Sequence, residues 1–301
     1  MKAGVQTLSE AQTVEKSLPT VLAELFKARL TALVLLTTVV GYYLGSRGPL
    51  DVVQLLNTLA GTGLLAAGAA ALNQLLEREH DARMRRTEDR PLPSGRLTPQ
   101  AVLLIGGVAS AAGMAYLAVT VNLLTSLLGA ATLVSYLFVY TPLKRVTTLN
   151  TIIGAIPGAL PPLMGWTAAT GRVTAGGWAL FAILFFWQLP HFFAIAWMYR
   201  DDYAKAGFVM LPLTDPTGER TGRQSVSHTL GLLVMSLFPV LFHVAGIIYG
   251  VGAIVLGAGM LVVAFNFSRR LTPGAARALF FASIIYLPLL LALMVFDKVK
   301  L

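Results

Sequence analysis

Long apolar runs alternate with short polar segments along almost the whole chain. A helix needs about 20 apolar residues to cross the hydrocarbon core of a bilayer. Nine stretches are long enough and predict nine transmembrane helices, at residues 30–46, 52–76, 99–120, 122–140, 149–169, 176–198, 228–248, 250–267 and 278–296. Two of the joins are very short, at Val121-Asn122 and Tyr249-Gly250, so we expect a tight antiparallel hairpin at each.

The composition agrees with an integral membrane protein. Hydrophobic residues make up 56% of the 301 residues and charged residues 12%, about half the charged share of an ordinary globular protein. These values exclude a chain of soluble domains. The absence of cysteine excludes disulfides, thiolate metal sites and a cysteine nucleophile. We therefore expect an all-α membrane protein, with a single transmembrane domain over residues 26–301 that follows a flexible cytosolic tail over residues 1–25.

The 23 basic residues fall mostly on one side of the predicted spans. With the N-terminus placed inside, 19 lie on the cytosolic side, and only Arg47, Arg172, Lys298 and Lys300 lie outside. This distribution follows the positive-inside rule and accounts for the net charge of +9 without any binding to nucleic acid. Twelve of the 14 acids lie on the same side, which the rule does not require. Acids and bases together predict a functional site at the cytosolic face.

An acidic stripe ends the second predicted span. Asn73, Glu77 and Asp81 stand four residues apart, so on a helix they lie on one face. We call these three residues the oxygen stripe, because all of their side chains present oxygen atoms. Like charges at this spacing destabilise a helix unless something neutralises them. Mg²⁺ would do so, since it binds through one or two carboxylates and the phosphates of a substrate.

Basic residues follow the oxygen stripe directly. Arg85, Arg86 and Arg90 can each form paired hydrogen bonds to phosphate oxygens. Lys144 and Arg145 end the fourth span on the same side of the membrane. The alternative interpretation is a solvated helix end with basic residues that only anchor the topology.

The sixth span carries polar groups within the membrane. Gln188 and His191 stand three residues apart on either side of Pro190, which should break or kink the helix. Polar groups at this depth are functional candidates, although a lone histidine in a core is more often only packed and hydrogen-bonded. Asp202 follows the same span, so a second acidic helix end faces the same side as the oxygen stripe.

These motifs resemble those of the UbiA-type intramembrane prenyltransferases. The oxygen stripe, continuing through Arg86-Thr to Arg90-Pro-Leu-Pro-x-Gly-Arg96, is similar to the first aspartate-rich motif of the family. Three further motifs resemble the branch of the family that prenylates haem, and they are Tyr140-Thr-Pro-Leu-Lys144-Arg145, Trp187-Gln-x-Pro-His191 and Asp202-Tyr-x-x-Ala-Gly207-x-x-Met-Leu-Pro212. The resemblance runs from about Phe26 to the C-terminus. The four motifs in this order are specific, whereas any one alone is not.

The resemblance implies a bundle of nine helices around a cavity open to the cytosolic side, in the cytoplasmic (inner) membrane of a bacterium. The N-terminus would be cytosolic and the C-terminus on the outer side. The implied reaction transfers farnesyl from farnesyl diphosphate to a vinyl group of haem B, with addition of water, and gives haem O and diphosphate. A haem A synthase or a terminal oxidase would be the natural partner.

The resemblance also assigns roles to individual residues. Asn73, Glu77, Asp81 and Asp202 would form the catalytic site and hold Mg²⁺ on the diphosphate. The diphosphate oxygens would be neutralised by five cations, Arg85, Arg86, Arg90, Lys144 and Arg145. His191 and Gln188 would contact the haem.

The sequence departs from the family pattern at two positions. Glu77 stands where the family usually has Asp, and Met198 stands where a second Asp would precede Asp202. The site for a second metal ion therefore has one carboxylate fewer than in the family pattern. Three rival functions stay open: prenylation of a quinone precursor such as 4-hydroxybenzoate, transport of an amphipathic anion, and a structural role in the assembly of an oxidase, which would leave the oxygen stripe unexplained. The absence of an acid at mid-membrane depth counts against transport.

Overall fold

The computed structural model describes residues 16–299, and the secondary structure of this part of the chain is helical. The helices are α1 (Leu18–Leu25), α2 (Ala28–Gly45), α3 (Val52–Asp81), α4 (Pro99–Thr120), α5 (Leu123–Val134), α6 (Thr141–Leu143), α7 (Asn150–Thr170), α8 (Ala175–Met198), α9 (Arg200–Lys205), α10 (Glu219–Met235), α11 (Phe238–Leu241), α12 (Ile247–Arg270) and α13 (Pro273–Phe296). A π-helical segment, Ser135–Tyr140, joins α5 to α6, and a 3₁₀ turn, Leu211–Leu213, lies between α9 and α10.

Within the described residues, nine helical stretches are long and apolar enough to cross a membrane. This confirms the predicted number of spans. The stretches are α2, α3, α4, α5 to α6, α7, α8, α10 to α11, α12 and α13. Helix α3 is the longest at 30 residues, because it continues past the apolar part of its span to include the oxygen stripe.

Of the two tight hairpin joins predicted from the sequence, one is confirmed and one was misplaced. The first is confirmed, since α4 ends at Thr120 and Asn122 caps α5 by accepting a hydrogen bond from the Thr125 N–H at 2.8 Å. The second was placed wrongly, because Tyr249 and Gly250 lie inside α12. The chain turns earlier, at residues 242–246, where His243 takes a left-handed conformation with φ 54°.

The position of this turn follows from local hydrogen bonding. The carbonyl of Pro239 accepts the backbone N–H groups of both Val244 and Ala245, at 2.8 and 3.1 Å. The apolar residues on either side of the turn hide it in the hydropathy pattern. The seventh span begins at Glu219, nine residues before the predicted start. Hydropathy missed these first turns because their residues are polar.

Part of the predicted tail is folded. Residues 18–25 form α1, in which Val21 and Leu25 are buried. Gln74 Nε2 holds the end of this helix by donating to the carbonyls of Glu24 and Leu25, at 2.9 and 2.8 Å. The expectation of a flexible segment was therefore wrong for residues 18–25, whereas residues 1–15 lie outside the described residues.

Of the break or kink expected at Pro190, the break does not occur. Helix α8 runs through this buried proline, which removes one backbone donor from the helix. Transmembrane helices tolerate such a loss where neighbouring helices and side chains provide other bonds. The carbonyl that loses its donor is that of Phe186, four residues earlier. Gln188 Nε2 bonds two other carbonyls, those of Leu184 in α8 and Ala155 in α7, at 3.0 and 3.2 Å, and so connects α8 to α7 beside the proline.

Glycines bring pairs of spans into close contact. A Cβ added at Gly41 in α2 would lie 2.0 Å from the carbonyl oxygen of Pro162 in α7. One added at Gly165 in α7 would lie 2.0 Å from the carbonyl oxygen of Thr38 in α2. In lipid, helices associate through such close packing of small residues, because the bilayer is as apolar as their side chains. The α2–α7 contact therefore has no room for larger residues.

We expect Gly41→Ala to destabilise the protein by about 1–3 kcal/mol, because the new methyl group must push α2 away from α7. Thermal unfolding in detergent measures this effect. Gly107→Ala in α4 is the matched control, since nothing lies within 4 Å of a Cβ at that position. Equal stability of the two variants would contradict the close contact.

Candidate functional site

The oxygen stripe lies on the last turns of α3 and is almost completely buried. The exposed fractions of Asn73, Glu77 and Asp81 are 0%, 4% and 1%. Two carboxylates held so far from water require partners, because an unpaired buried charge is strongly unfavourable. The structure therefore has to supply compensating groups from other segments of the chain.

Each member of the oxygen stripe bonds a cation from a different segment. The pairs are Lys27 with Asn73 at 2.7 Å, Lys144 with Glu77 at 2.8 Å, and Arg90 with Asp81 at 2.7 Å. Lys27 lies between α1 and α2, Lys144 follows α6, and Arg90 lies in the loop after α3. We call these three pairs the paired cluster. It joins α3 and the loop that follows it to two segments whose lysines lie 46 and 67 residues away in sequence from their partners.

The π-helical segment adds polar groups to the paired cluster. Pro142 cannot donate a backbone hydrogen bond, which favours an irregular helix just before it. The Thr141 hydroxyl instead donates to the carbonyl of Tyr136 at 2.9 Å and accepts a bond from Asn73 Nδ2 at 3.1 Å. Single π-helical turns are frequent at functional sites, because they rotate side chains out of the regular helical order. Sequence analysis did not identify Tyr136, and it named Thr141 only as part of the motif that ends the fourth span.

Lys144 is held among aromatic rings as well as beside Glu77. Its Nζ lies 4.5 Å from the centre of the Tyr140 ring and 5.8 Å from that of Phe208. Burial acts to lower the pKa of Lys144, but the neighbouring Tyr140 and Glu77 outweigh it and raise the pKa above its ordinary value. Lys144 therefore keeps a fixed positive charge beside the stripe.

Lys27 is a site residue that sequence analysis did not identify. It takes a left-handed conformation, with φ 47°, where the chain passes from α1 to α2. Its Nζ donates to Asn73 Oδ1 and lies 3.4 Å from the Tyr136 hydroxyl. Burial lowers the pKa of Lys27 to about 7, and the positive charge of Arg90 acts in the same direction. The charge of Lys27 is therefore adjustable near neutral pH, unlike that of Lys144.

The oxygen stripe has the ligand atoms that Mg²⁺ prefers, namely two carboxylates and one amide oxygen. Among residues 16–299, no three His, Cys, Asp or Glu side chains lie together in a group that could hold a metal ion. Mg²⁺ commonly completes its six positions with water and substrate phosphates. In the structure these oxygens bond Lys27, Lys144 and Arg90, so a magnesium ion at the stripe would share them with these cations.

The remaining predicted phosphate contacts fall into two places. Arg86 donates to the Tyr203 hydroxyl at 3.3 Å and lies over the Tyr199 ring at 5.2 Å, which brings it to the segment that carries Asp202. Arg145 instead donates to the carbonyl of Leu76 at 3.3 Å. It lines a separate cavity of about 430 Å³, together with Arg78, Glu79 and His80. Arg85 is exposed. The structure thus brings Arg90 and Lys144 to the stripe, but places Arg145 elsewhere.

The two polar residues of α8 contact different helices. Gln188 bonds α7, as described above. His191 Nδ1 lies 2.8 Å from the hydroxyl oxygen of Ser283 in α13, and its ring lies between those of Trp187 and Phe280, at 5.1 and 5.0 Å. The Ser283 hydroxyl donates to the carbonyl of Phe280 at 2.6 Å, so it accepts the bond from His191 Nδ1–H. The lone pair of His191 is consequently on Nε2, the form that can bind a metal.

Comparison with known proteins identifies the family. The sequence model of the UbiA prenyltransferase family matches residues 34–285. The chain therefore belongs to the UbiA prenyltransferase family. It is 47% identical over 284 residues to the protoheme IX farnesyltransferase of Solibacter usitatus, covering 91% of this chain and 97% of that protein. It is also 47% identical over 276 residues to the protoheme IX farnesyltransferase of Opitutus terrae, covering 91% of this chain and 93% of that protein.

Solved structures confirm the fold at low sequence identity. A structure of digeranylgeranylglyceryl phosphate synthase matches with a TM-score of 0.80 and 14% identity, covering 94% of this chain and 99% of that chain. A UbiA homologue from Archaeoglobus fulgidus bound to GPP and Mg²⁺ matches with a TM-score of 0.62 and 15% identity, covering 91% of this chain and 99% of that one. The all-α membrane fold predicted from the sequence is thereby confirmed.

We expect Lys144→Met to destabilise the protein by about 3–5 kcal/mol, because it leaves the buried Glu77 without a partner. The double variant Glu77→Gln/Lys144→Met removes both charges and should recover most of this loss. Unfolding in one detergent measures all three proteins. Arg85→Met, at an exposed position, serves as the control and should change little. A double variant as unstable as the single variant would show that the ion pair is not the cause.

Proposed function

We propose that this protein transfers the farnesyl group of farnesyl diphosphate to a vinyl group of haem B and so forms haem O and diphosphate. The observation that carries the proposal is the 47% identity, over 91% of this chain, to proteins named protoheme IX farnesyltransferase. The buried paired cluster supports it, since a prenyl diphosphate requires a site for phosphate oxygens beside an apolar space. The motifs of the sixth span support the haem acceptor rather than a quinone precursor.

The reaction begins at the diphosphate. The bond between C1 of the farnesyl group and the bridging oxygen breaks, which leaves an allylic cation and diphosphate. Preorganised positive charge stabilises the leaving group in a site from which water is excluded. Lys144 and Arg90 are suited to this role, because both lie beside the carboxylates of the stripe.

Asn73, Glu77 and Asp81 would hold Mg²⁺ together with the substrate, and Asp202 would contribute from α9. The Archaeoglobus fulgidus homologue is described with GPP and Mg²⁺ bound, which supports a divalent metal in this fold. When bound, the metal supplies further neutralisation of the leaving oxygens. Arg86 would add charge beside α9, since it contacts Tyr203 and Tyr199, whereas Arg145 lines a separate cavity and Arg85 is exposed.

The second half of the reaction takes place at the haem. The terminal carbon of the vinyl group attacks C1 of the farnesyl cation, and the positive charge moves to the vinyl carbon next to the porphyrin ring. Water adds there and loses a proton, which leaves a hydroxyl group. The Nε2 atom of His191 would bind either the haem iron or a propionate group of the haem. Gln188 would contact the haem beside His191. Ser283 would orient the imidazole by accepting its Nδ1–H.

The cellular setting follows from the same proposal. We propose that the N-terminus and the paired cluster lie on the cytosolic side of a bacterial cytoplasmic membrane and the C-terminus on the outer side, and the excess of basic residues on the first side supports this orientation. The single prenyltransferase domain then occupies residues 26–301. Haem O is a substrate for a haem A synthase or a component of a terminal oxidase, and either would receive the product.

The direct test incubates the purified protein with haem B, farnesyl diphosphate and Mg²⁺, and separates the haems by chromatography. We expect a more hydrophobic haem with the mass of the hydroxyfarnesylethyl product. Asp81→Ala or a chelator should abolish it, because either removes metal binding at the stripe. His191→Ala should lower haem binding, measured by absorbance, and leave diphosphate binding unchanged. Prenylation of 4-hydroxybenzoate in place of haem B would keep the family and overturn the acceptor.

The pH dependence of diphosphate binding tests Lys27. An anion favours the protonated amine, so affinity should fall as the pH rises through about 7 and Lys27 loses its proton. In Lys27→Arg the charge persists, so this part of the pH dependence should disappear. Calorimetric titration with magnesium diphosphate on both sides of this pH measures the affinities. The arginine variant also corrects for titration of the ligand itself. Equal slopes in the two proteins would exclude Lys27 as the titrating group.

A further inference from the structure

A second cavity lies at the end of the bundle opposite to the paired cluster. Its volume is about 570 Å³. It lies between the C-terminal ends of α2 and α7, the first turn of α8, the turn after α11, and residues 298–299. Helix α2 separates it from Lys27, and its 18 residues span about 27 Å. The proposed reaction therefore makes no use of this cavity.

The basic residues on this side of the membrane converge on the cavity. Of the four that the sequence places outside, Arg47, Arg172 and Lys298 line it, and Lys300 lies outside the described residues. His243 lines it as well. No carboxylate is among the lining residues in the described part of the chain. Because basic residues are scarce on the outer side of membrane proteins, three in one cavity without an acid indicate an anionic ligand.

The start of helix α8 also lies beside this cavity and favours an anion. Helix α8 begins at Ala175 beside the cavity, and its N-cap Thr174 makes no side-chain hydrogen bond to the helix. The N-terminal end of a helix carries unsatisfied N–H groups and a partial positive charge. Trp166 also lines the cavity and adds aromatic surface to it.

Lys298 is already positioned by the protein. Its Nζ donates to the carbonyls of Tyr43 and Ser46, at 2.5 and 2.8 Å, at the C-terminal end of α2. The Nζ also lies 4.5 Å from the centre of the Tyr43 ring, so Lys298 holds a fixed position from which its positive charge favours an anion in the cavity. Burial lowers the pKa of Lys298, and a bound anion would act in the opposite direction.

The cavity also has an apolar wall. Leu44, Leu241, Phe242 and Val244 line it, and Leu241 and Phe242 are exposed. A ligand that matches both the basic residues and the apolar wall has an anionic head and an apolar body.

We propose that this cavity binds the phosphate of an anionic phospholipid from the outer leaflet. Arg47, Arg172 and Lys298 then contact the phosphate oxygens, and the acyl chains leave past Leu241 and Phe242. Three cations without an acid favour a head group of net negative charge over a zwitterionic one.

The test titrates the full-length protein in a non-ionic detergent with phosphatidylglycerol, phosphatidylcholine or inorganic phosphate, and native mass spectrometry counts the bound molecules. We expect phosphatidylglycerol to bind more tightly than phosphatidylcholine. Arg47→Gln/Arg172→Gln should weaken phosphatidylglycerol binding about tenfold or more, since charged hydrogen bonds are lost.

The matched control is Arg269→Gln/Arg270→Gln, which removes two charges from exposed positions at the end of α12. It should bind phosphatidylglycerol like the unmodified protein. Unfolding temperatures without lipid show whether each variant is folded. Three results would overturn the proposal: equal affinity in the unmodified protein and the Arg47/Arg172 variant, no preference for the anionic lipid, or binding of inorganic phosphate without binding of lipid.

Discussion

Burial of the oxygen stripe is the constraint on which the rest of the site depends. Two carboxylates and an amide at 0–4% exposure cannot persist at the end of a transmembrane helix without compensating charge. Each of them is matched by a cation from another segment. The break between α1 and α2, the π-helical segment before α6, and the folded loop after α3 each bring one of these partners into place. The irregular parts of the fold are therefore concentrated around the stripe.

This arrangement explains what the sequence could and could not predict. The stripe was recognisable because its members lie on one helix, where the spacing alone places them on one face. The spans were recognisable because hydropathy depends on local composition. Lys27 was not recognised, because its role depends on a contact 46 residues away in sequence. The turn at residues 242–246 was misplaced, because apolar residues flank a reversal that backbone hydrogen bonds determine.

Two residues of α8 also show that local sequence reveals polar residues but not their distant partners. The sequence identified Gln188 and His191 as polar groups within the membrane. It did not reveal that Gln188 bonds α7 and His191 bonds α13, because residues three apart on a helix still differ by about 60° in direction. Ser283 stands 92 residues after His191, and no local pattern connects the two. A pair of neighbouring polar residues therefore serves two different helix contacts.

The anchoring of Lys298 has a consequence for how the bundle assembles. Its ammonium group binds the carbonyls at the end of α2, the first span, across 252 residues of sequence. The backbone of residue 298 also pairs with Ala245, in the turn before α12. During synthesis, the first span emerges long before the lysine that completes its end. The contact that completes the end of α2 can therefore form only after the last span has been made, so this end of the bundle is finished late in assembly.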